Sequence, residues 1–317
     1  MIITLLDDAT LGEGLDFSVL EKFGTVECCG KTPQSEVSER IRNSDVVIIN
    51  KIKMNCESLK YAAKLKLICV FATGYDNIDM NYCREHGIAV CNVKGYSTDS
   101  VAQLTVTMAL FLANRIPQFT SYVESGAYSK SGLQNYLKPQ FHELRGKTWG
   151  IIGFGNIGGK VAKIAEAFGC SVMVNRRRPV EEYENASVDE ICRTADIISI
   201  HTPLTDETVG LIGEKEIALM KKNVLLINVA RGAVTDETAV AVALKEGRLG
   251  GFAADVYSTE PFPENHPFSD IMHMDNVCLT PHMAWGAVEA RIRCLDEIVK
   301  NIDAFLKGEI RNRVDME

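Results

Sequence analysis

The sequence lacks the long apolar runs of a membrane protein. None of its apolar stretches approaches the roughly 20 residues needed to span a bilayer, which excludes a transmembrane protein. An excess of basic residues is also missing, because 34 Lys and Arg stand against 42 Asp and Glu, a net charge of −8. A field of this sign repels nucleic acid and anionic membranes, so we expect neither as a partner.

Other common signals are absent too. The ten cysteines include no C-x-x-C and lie mostly in apolar segments, so we expect small buried hydrophobes and predict no metal site. The N-terminal apolar run has neither the cationic start nor the cleavage site of a signal peptide, and we therefore expect a cytoplasmic protein. The sequence contains no internal repeat and no long heptad run, so it predicts neither a repeat array nor a coiled coil.

The 317 residues, 46% of them apolar, are enough for two globular domains at roughly 100 to 200 residues each. Short apolar runs alternate with amphipathic segments in two series, which is the pattern of β-α units around a parallel sheet. The first series predicts strands at 2–6, near 26, and at 46–50, 67–71 and 88–92. The second predicts strands at 148–152, 171–175, 197–201, 224–229, 251–255 and 277–280. Helices are predicted at 100–115 and 288–306, with a polar loop at 125–141.

A glycine motif follows the first strand of the second series. Gly153, Gly155 and Gly158 form G-x-G-x-x-G, with Asn156 and Ile157 inside it. Such glycines permit a tight turn, close approach of a pyrophosphate to the backbone, and close packing of helix on strand. Because strand, turn, helix and second strand follow in register, the segment predicts a dinucleotide site. A chance glycine-rich turn and a methyltransferase are the alternatives.

The carboxylate expected after the second strand is absent. An Asp or Glu about 20 residues after the first glycine normally binds the adenosine ribose, but Asn175, Arg176, Arg177 and Arg178 occupy this place. Guanidinium groups favour a 2′-phosphate. We therefore predict that NADP is preferred and that NAD is possible. The alternative is a solvated loop whose charges balance neighbouring glutamates.

Four separated segments resemble the D-isomer-specific 2-hydroxyacid dehydrogenases over nearly the whole chain. They are the glycine motif, His201-Thr202-Pro203-Leu204-Thr205 with Leu219-Met220-Lys221, Asn228-Val229-Ala230-Arg231-Gly232, and Asp255-Val256-Tyr257 with Glu260-Pro261 and Thr280-Pro281-His282. The resemblance implies an oxidoreductase that transfers a hydride from NAD(P)H to a small 2-keto acid and gives the D-2-hydroxy acid.

The strand pattern and the resemblance together predict an α/β fold of two doubly wound parallel-sheet domains. A flavodoxin-like, substrate-binding domain is expected to comprise residues 1–99 plus 287–317, and a Rossmann dinucleotide-binding domain to comprise 100–286. We expect the chemistry in a cleft between the domains, with hinge bending near Ser100 and Ala287. The apolar residues of 100–141 exceed what one helix needs, and the family commonly dimerises there, so a homodimer is predicted.

The resemblance assigns catalysis to Arg231, Glu260 and His282. A planar guanidinium can hold the carboxylate of a 2-keto acid and polarise the adjacent carbonyl. Histidine has an ordinary pKa of about 6.5, near working pH, so His282 is the expected proton donor. Glu260 would favour the protonated imidazole and fix its orientation. Each residue alone could instead cap a strand, a loop or a turn, but all three follow consecutive predicted strands at the ligand-binding edge of the sheet.

The remaining predicted contacts concern the cofactor and the substrate. Besides the glycine loop and 175–177, the predicted cofactor-binding residues are Thr202, Pro203, Val229, Ala230 and Asp255. His201, which has no carboxylate partner in the sequence, is expected only to shape the cofactor pocket. The predicted substrate-binding residues are Thr73 and Gly74, whose loop resembles the family's carboxylate-binding loop, with Lys51, Arg231 and Trp285. Simple packing is the alternative for Trp285.

The substrate is suggested by a weaker resemblance. Asn50-Lys51, Gly95-Tyr96-Ser97-Thr98 and the segment from Pro281 to Trp285 are similar to the glycerate dehydrogenase or hydroxypyruvate reductase branch. Hydroxypyruvate or glyoxylate is therefore the expected substrate. A phosphoglycerate dehydrogenase without a regulatory domain and a dinucleotide-sensing, corepressor-like binding protein on the same fold are the alternatives.

Overall fold

The computed structural model describes residues 1–316, which divide into two α/β units. The first unit contains Met1–Ser97 and the residues from Trp285 onward, and the second contains Thr98–Ala284. The predicted range 287–317 ends at Glu317, which lies outside the described residues. Within 1–316, no helix is both long enough and apolar enough to cross a membrane.

The secondary structure alternates between strands and helices in both units. The strands are β1 (Ile2–Leu5), β2 (Thr25–Cys28), β3 (Val46–Ile49), β4 (Leu67–Val70), β5 (Ala89–Cys91), β6 (Thr148–Ile152), β7 (Ser171–Asn175), β8 (Glu184–Asn185), β9 (Ile197–Ile200), β10 (Leu225–Asn228), β11 (Gly251–Ala254) and β12 (Val277–Leu279). The helices are α1 (Val37–Arg40), α2 (Cys56–Leu59), α3 (Met80–Glu85), α4 (Thr98–Ala113), α5 (Ile116–Glu124), α6 (Ala127–Ser131), α7 (Asn156–Ala167), α8 (Val188–Thr194), α9 (Glu214–Leu219), α10 (Glu237–Lys245) and α11 (Val288–Leu306). Short 3-10 helices lie at Asp8–Leu11, Phe17–Phe23, Gln34–Glu36, Gly232–Val234 and Pro267–Asp270.

The first unit contains a parallel sheet in the flavodoxin-like order β2-β1-β3-β4-β5. Successive residues of its strands face opposite layers, so that Val46 and Ile48 join one apolar cluster and Val47 and Ile49 the other. Helix α11 supplies the first cluster with buried side chains at helical spacing, among them Ile298. Burial on both faces explains why these strands read as continuous apolar runs.

The second unit contains a seven-stranded parallel sheet in the order β12-β11-β10-β9-β6-β7-β8. The chain builds β6 to β8 outward in one direction and then β9 to β12 in the other, as in a Rossmann fold. The strand order therefore reverses between β6 and β9, where such sheets bind ligands. The predicted fold class of two doubly wound parallel-sheet domains is confirmed.

The region after α4 differs from the prediction. Residues 125–141 were expected to form a loop, but they contain α6, and α5 precedes them. Neither short helix has a buried residue. The helix that lies inside the predicted loop, α6, has only five residues, which is too short for an apolar periodicity to reveal it.

Candidate active site

The turn after β6 requires its first glycine. Gly153 has φ of +92°, and a Cβ there would lie well inside van der Waals contact with the backbone of His201 and Thr202. The Gly153 N–H donates to the carbonyl oxygen of Asn175 at 3.0 Å, which joins the turn to the end of β7. A side chain at this position would therefore separate the ends of β6 and β9.

The other two glycines have different surroundings. A Cβ on Gly158 would collide with the Gly153 carbonyl oxygen, so this glycine packs helix against turn. A Cβ on Gly155 would meet no atom within 4 Å. Gly155 is the N-cap of α7 and offers no side-chain cap, so the first N–H groups of this helix can bind an anion. Open space above an uncapped helix start fits the pyrophosphate of a dinucleotide.

The end of β7 carries positive charge. Asn175 donates from Nδ2 to the carbonyl oxygen of Ala186 at 2.9 Å, so its amide supports the local backbone. Arg176 and Arg177 follow and are exposed. Arg177 forms an ion pair with Glu207 at 2.7 Å, and both side chains are about four-fifths exposed at 81% and 77%. The partner of Arg177 is therefore Glu207 and not one of the glutamates that neighbour the arginines in the sequence.

Asn228 shapes the loop after β10 that carries Arg231. Its buried amide accepts from the Ala230 N–H at 3.0 Å and donates to the Arg231 carbonyl oxygen at 2.9 Å. Both bonds tie the loop to the last residue of the strand. Arg231 also donates from Nη1 to the Ala230 carbonyl oxygen at 2.8 Å. This bond holds the guanidinium close to its own loop.

Glu260 and His282 meet at the ends of the two strands beyond β10. Glu260 follows β11 and His282 follows β12, and Glu260 Oε2 lies 2.6 Å from His282 Nδ1. The other carboxylate oxygen, Oε1, accepts from the Tyr257 N–H at 3.1 Å. The Tyr257 hydroxyl in turn donates to the carbonyl oxygen of Thr280 at 2.8 Å. The two loops are therefore cross-linked near the carboxylate–imidazole pair.

Asp255 holds the turn that presents His282. Its buried carboxylate accepts from the Thr280 hydroxyl at 2.6 Å and from the N–H groups of Met283 and Ala284, both at 2.8 Å. His282 itself has φ of +51°, a left-handed conformation that non-glycine residues seldom adopt. Burial raises the pKa of Asp255 above its ordinary value, although these hydrogen bonds oppose the shift. Asp255, which is also predicted to bind cofactor, supports this turn.

His201 lies after β9 in a different environment. Its Nε2 is 3.0 Å from the Ser199 hydroxyl, which also accepts from the buried indole N–H of Trp149 at 2.9 Å. Because the indole N–H can only donate, the Ser199 oxygen is the acceptor in its bond with Trp149. Burial lowers the pKa of His201 to about 3, so the ring is neutral at working pH.

The predicted substrate residues Thr73, Gly74, Lys51 and Trp285 belong to the first unit. Thr73 is fixed by its hydroxyl, which donates to the Val93 carbonyl oxygen at 2.7 Å, and by Asn92, whose Nδ2 donates to the Thr73 carbonyl oxygen at 2.7 Å. Gly74 and Lys51 lie in loops, and Lys51 is exposed. Trp285 is partly buried against the apolar cluster that includes α11.

Asp7 has a supporting role that was not predicted from the sequence. This buried carboxylate follows β1 and accepts from the N–H groups of Asn50, Lys51 and Ile52 at 2.9, 2.6 and 3.2 Å. It therefore anchors the loop of Lys51. An acidic residue directly after a buried strand was the available signal, but its partners lie more than 40 residues away.

Comparison with known proteins agrees with this geometry. Residues 106–284 match the family model described as D-isomer specific 2-hydroxyacid dehydrogenase, NAD binding domain. The chain belongs to this family. The matched range covers the glycine loop and the loops of Arg231, Glu260 and His282.

Relatives match over nearly the full chain. The chain is 38% identical over 303 residues to a glyoxylate reductase of Thermococcus litoralis, and the match covers 92% of this chain and 90% of that protein. It is 34% identical over 326 residues to a hydroxypyruvate reductase of Blautia hydrogenotrophica, covering 99% and 100%. Among solved structures, it is similar to an acyclic imino acid reductase in complex with NADPH and D-Arg. That match has a TM-score of 0.88 at 30% identity and covers 99% of this chain and 100% of the other.

Proposed function

We propose that this family member reduces a small 2-keto acid, glyoxylate or hydroxypyruvate, to the D-2-hydroxy acid with NADPH as the preferred reductant. The observation that carries the proposal is the 2.6 Å contact between Glu260 and His282 at the ligand-binding edge of the sheet. The names of the two relatives described above support the substrate class. The NADPH complex of a structurally similar protein supports the cofactor class.

Arg231 is the proposed substrate anchor. A guanidinium can donate two parallel hydrogen bonds to a carboxylate, and it stabilises negative charge that develops on an adjacent carbonyl oxygen. The loop of Arg231 is ordered by the buried Asn228 amide. A fixed backbone limits the positions that the guanidinium can reach, which favours one orientation of the keto acid.

His282 is the proposed proton donor. Its Nδ1 is engaged by Glu260, so Nε2 is the nitrogen that can deliver a proton to the alkoxide oxygen formed on reduction. The carboxylate stabilises the protonated ring and fixes its orientation. The Tyr257 N–H holds the second oxygen of Glu260, so the carboxylate is itself fixed.

The cofactor would be held by the α7 start and the neighbouring loops. The residues proposed for this are Gly153, Gly155, Asn156, Ile157 and Gly158, with Asn175, Arg176, Arg177, Thr202, Pro203, Val229, Ala230 and Asp255. When bound, the reduced nicotinamide supplies a hydride to the carbonyl carbon of the keto acid. The positive charges of Arg176 and Arg177 favour binding of a 2′-phosphate. No carboxylate stands directly after β7 to repel that phosphate.

The first unit is proposed to contribute further substrate contacts. The loop of Thr73 and Gly74 would offer backbone N–H groups to the carboxylate, and the charge of Lys51 would attract it. Trp285 is proposed to contact the substrate as well. The anchoring of these loops by Asp7 and Asn92 supports a fixed rather than an adaptable binding surface.

A homodimer is proposed through α5, α6 and the loop that follows. Large apolar side chains are exposed there, namely Ile116, Val123, Tyr128, Leu133, Leu137 and Phe141. Apolar surface of this kind is commonly covered by a partner. Sedimentation at micromolar concentration tests the idea, and a monomer under these conditions would contradict it.

The function is tested by following NADPH and NADH oxidation with a keto-acid panel of glyoxylate, hydroxypyruvate, pyruvate and phosphohydroxypyruvate. We expect turnover with one of the first two. Preference for phosphohydroxypyruvate would instead support a phosphoglycerate dehydrogenase. Tight NADPH binding without oxidation on any keto acid would contradict the proposal and favour a dinucleotide-sensing protein.

A further inference from the structure

Glu237 has a largely buried carboxylate and lies outside the set that contacts substrate in the proposed function. It is the first residue of α10, and its side chain is only 9% exposed. Burying a carboxylate costs free energy unless hydrogen bonds compensate. Three donors do so: the Ser258 N–H at 2.8 Å to Oε1, the Ser258 hydroxyl to Oε2, and His266 Nε2 at 3.0 Å to Oε2.

His266 is fixed in one orientation by its other nitrogen. Nδ1 accepts from the Phe268 N–H at 3.2 Å, so the ring proton is on Nε2 and is donated to Glu237. The ring also packs against Phe262, with 4.8 Å between ring centroids. Both nitrogens are thus engaged, and the ring serves to hold Glu237 rather than to transfer a proton.

Ser258 connects this buried pair to the catalytic loop. It lies two residues before Glu260, and Glu237 binds both its N–H and its hydroxyl. The preceding residue, Tyr257, donates its N–H to Glu260. Two successive backbone N–H groups therefore bind two different carboxylates, and a displacement of Ser258 would displace the donor that holds Glu260.

The same peptide also touches the loop of Arg231. A Cβ on Gly232 would collide with the backbone of Tyr257 and Ser258, so the residue after Arg231 packs directly on this peptide. The peptide between Tyr257 and Ser258 is thus in contact with one loop and bonded to Glu237. Its position affects the placement of both Arg231 and Glu260.

We propose that Glu237 and His266 are positioning residues, which hold the loop of Glu260 so that this carboxylate meets His282. The expected effect on kcat rests on the proposed function, whereas the expected effect on the distance between Glu260 and His282 does not. A displacement of about 1 Å in a catalytic constellation can cost about a hundredfold in rate. We therefore expect loss of the buried pair to lower kcat by tenfold or more, with a smaller change in KM.

The first test is Glu237→Gln. The amide replaces one acceptor oxygen with a donor, which then faces Ser258 or His266, both of which donate. We expect kcat to fall by tenfold or more, whereas the dissociation constant for NADPH stays unchanged. The matched control is Glu216→Gln, another carboxylate in the first turn of a helix, 15% exposed, which accepts from the Gly213 N–H. The control should keep wild-type kcat.

Two substitutions of His266 separate positioning from packing. His266→Gln keeps an N–H donor for Glu237, and His266→Phe keeps the aromatic packing but loses the donor. We expect the Gln variant to retain most of kcat and the Phe variant to lose it. The reverse order would overturn the proposal, because it would show that the ring acts by packing alone.

A double substitution and a distance complete the test. If Glu237 acts through Glu260, the Glu237→Gln, Glu260→Gln double variant should be no slower than Glu260→Gln alone, and additive losses would contradict the proposal. Crystal structures of wild type and Glu237→Gln should show the His282 Nδ1–Glu260 Oε2 contact lengthen beyond hydrogen-bonding distance. An unchanged contact would overturn the proposal. The distance is measurable without turnover, so inactivity of the wild type toward every keto acid would refute only the proposed function.

Discussion

His282 Nδ1 lies 2.6 Å from Glu260 Oε2 across 22 residues of sequence, and this contact determines which nitrogen of the ring can act. With Nδ1 bound to the carboxylate, the proton transfer proposed for His282 would use Nε2. Asp255 adds a second carboxylate to the surroundings of His282, but its oxygens accept from Thr280, Met283 and Ala284. The two carboxylates thus make separate contacts: Glu260 contacts the ring and Asp255 accepts from the turn.

Removal of the imidazole should affect rate more than cofactor binding. For His282→Ala we expect kcat for keto-acid reduction to fall by roughly a hundredfold or more, because general acid catalysis typically contributes that much. Fluorescence titration should give an unchanged dissociation constant for NADPH. The control is His273→Ala, an exposed histidine without a proposed role. A kcat within a few-fold of wild type would remove His282 from the mechanism.

Removal of the charge of Glu260 should slow reduction. In Glu260→Gln the amide oxygen can still accept from Nδ1, but the charge-assisted contact with the ring is lost. We expect kcat for keto-acid reduction to fall by about tenfold, because a neutral acceptor orients the ring less firmly. Glu264→Gln, in the exposed loop that follows, is the control. A wild-type kcat in the Glu260 variant would show that the carboxylate does not act on His282.

The parts of this molecule that local sequence determines were predicted well. Thr148–Ile152 and Ser171–Asn175 match the predicted strands to the residue, and α11 matches the predicted 288–306, because buried faces impose a regular apolar pattern. The positions of Arg231, Glu260 and His282 after β10, β11 and β12 agree with the expected strand ends.

The supporting contacts could not be predicted in the same way. Glu237 and His266 are 29 residues apart and meet only because the fold brings the start of α10 to the loop after β11. Asp7 and the Lys51 loop meet through the pairing of β1 with β3. Asp and Glu at such positions also serve as ordinary helix caps, so the residue type alone does not identify the role.

The second and third glycines of the dinucleotide loop should respond differently to the same methyl group. Gly155→Ala adds a Cβ in open space, so we expect a small stability loss, under about 1 kcal/mol for an N-cap position. It should raise the dissociation constant for NADPH by about tenfold or more, since the Cβ occupies the pyrophosphate approach. Gly158→Ala forces a Cβ onto the Gly153 carbonyl oxygen and should cost about 1 to 3 kcal/mol of stability. Thermal unfolding and fluorescence titration measure the two effects, and equal behaviour of the variants would contradict this account.

His201 should make the second unit less stable in acid. Its pKa is lowered by burial to about 3, below the ordinary value of 6.5, so between these values the unfolded chain binds a proton that the folded chain does not. The free energy of unfolding must then fall as the pH falls through this window, by at most about 1.4 kcal/mol per pH unit for one proton. His201→Gln should remove this component, so the two stability curves should run parallel above pH 6.5 and converge or cross below it. The free energy of unfolding at each pH can be measured by urea unfolding, followed by Trp149 fluorescence in a Trp285→Phe background. Stability curves that run parallel at every pH would contradict the prediction.

Cofactor choice should depend on Arg176, at the strand end where a carboxylate would select NAD. We expect wild type to prefer NADPH over NADH by about ten- to a hundredfold in kcat/KM, which corresponds to a charge-assisted phosphate contact of roughly 1.5 to 3 kcal/mol. Arg177 already pairs with Glu207 and would have to exchange this partner for the phosphate, so Arg176 is the more available cation. Arg176→Asp removes the phosphate partner, adds repulsion, and supplies an acceptor for the ribose hydroxyls, so the preference should erode or invert. Arg178→Asp, next to Pro179, makes the same charge change as a control and should keep the preference. If wild type uses NADH as well as NADPH, the arginines form only a solvated, ion-paired loop, and the predicted preference for NADP is wrong.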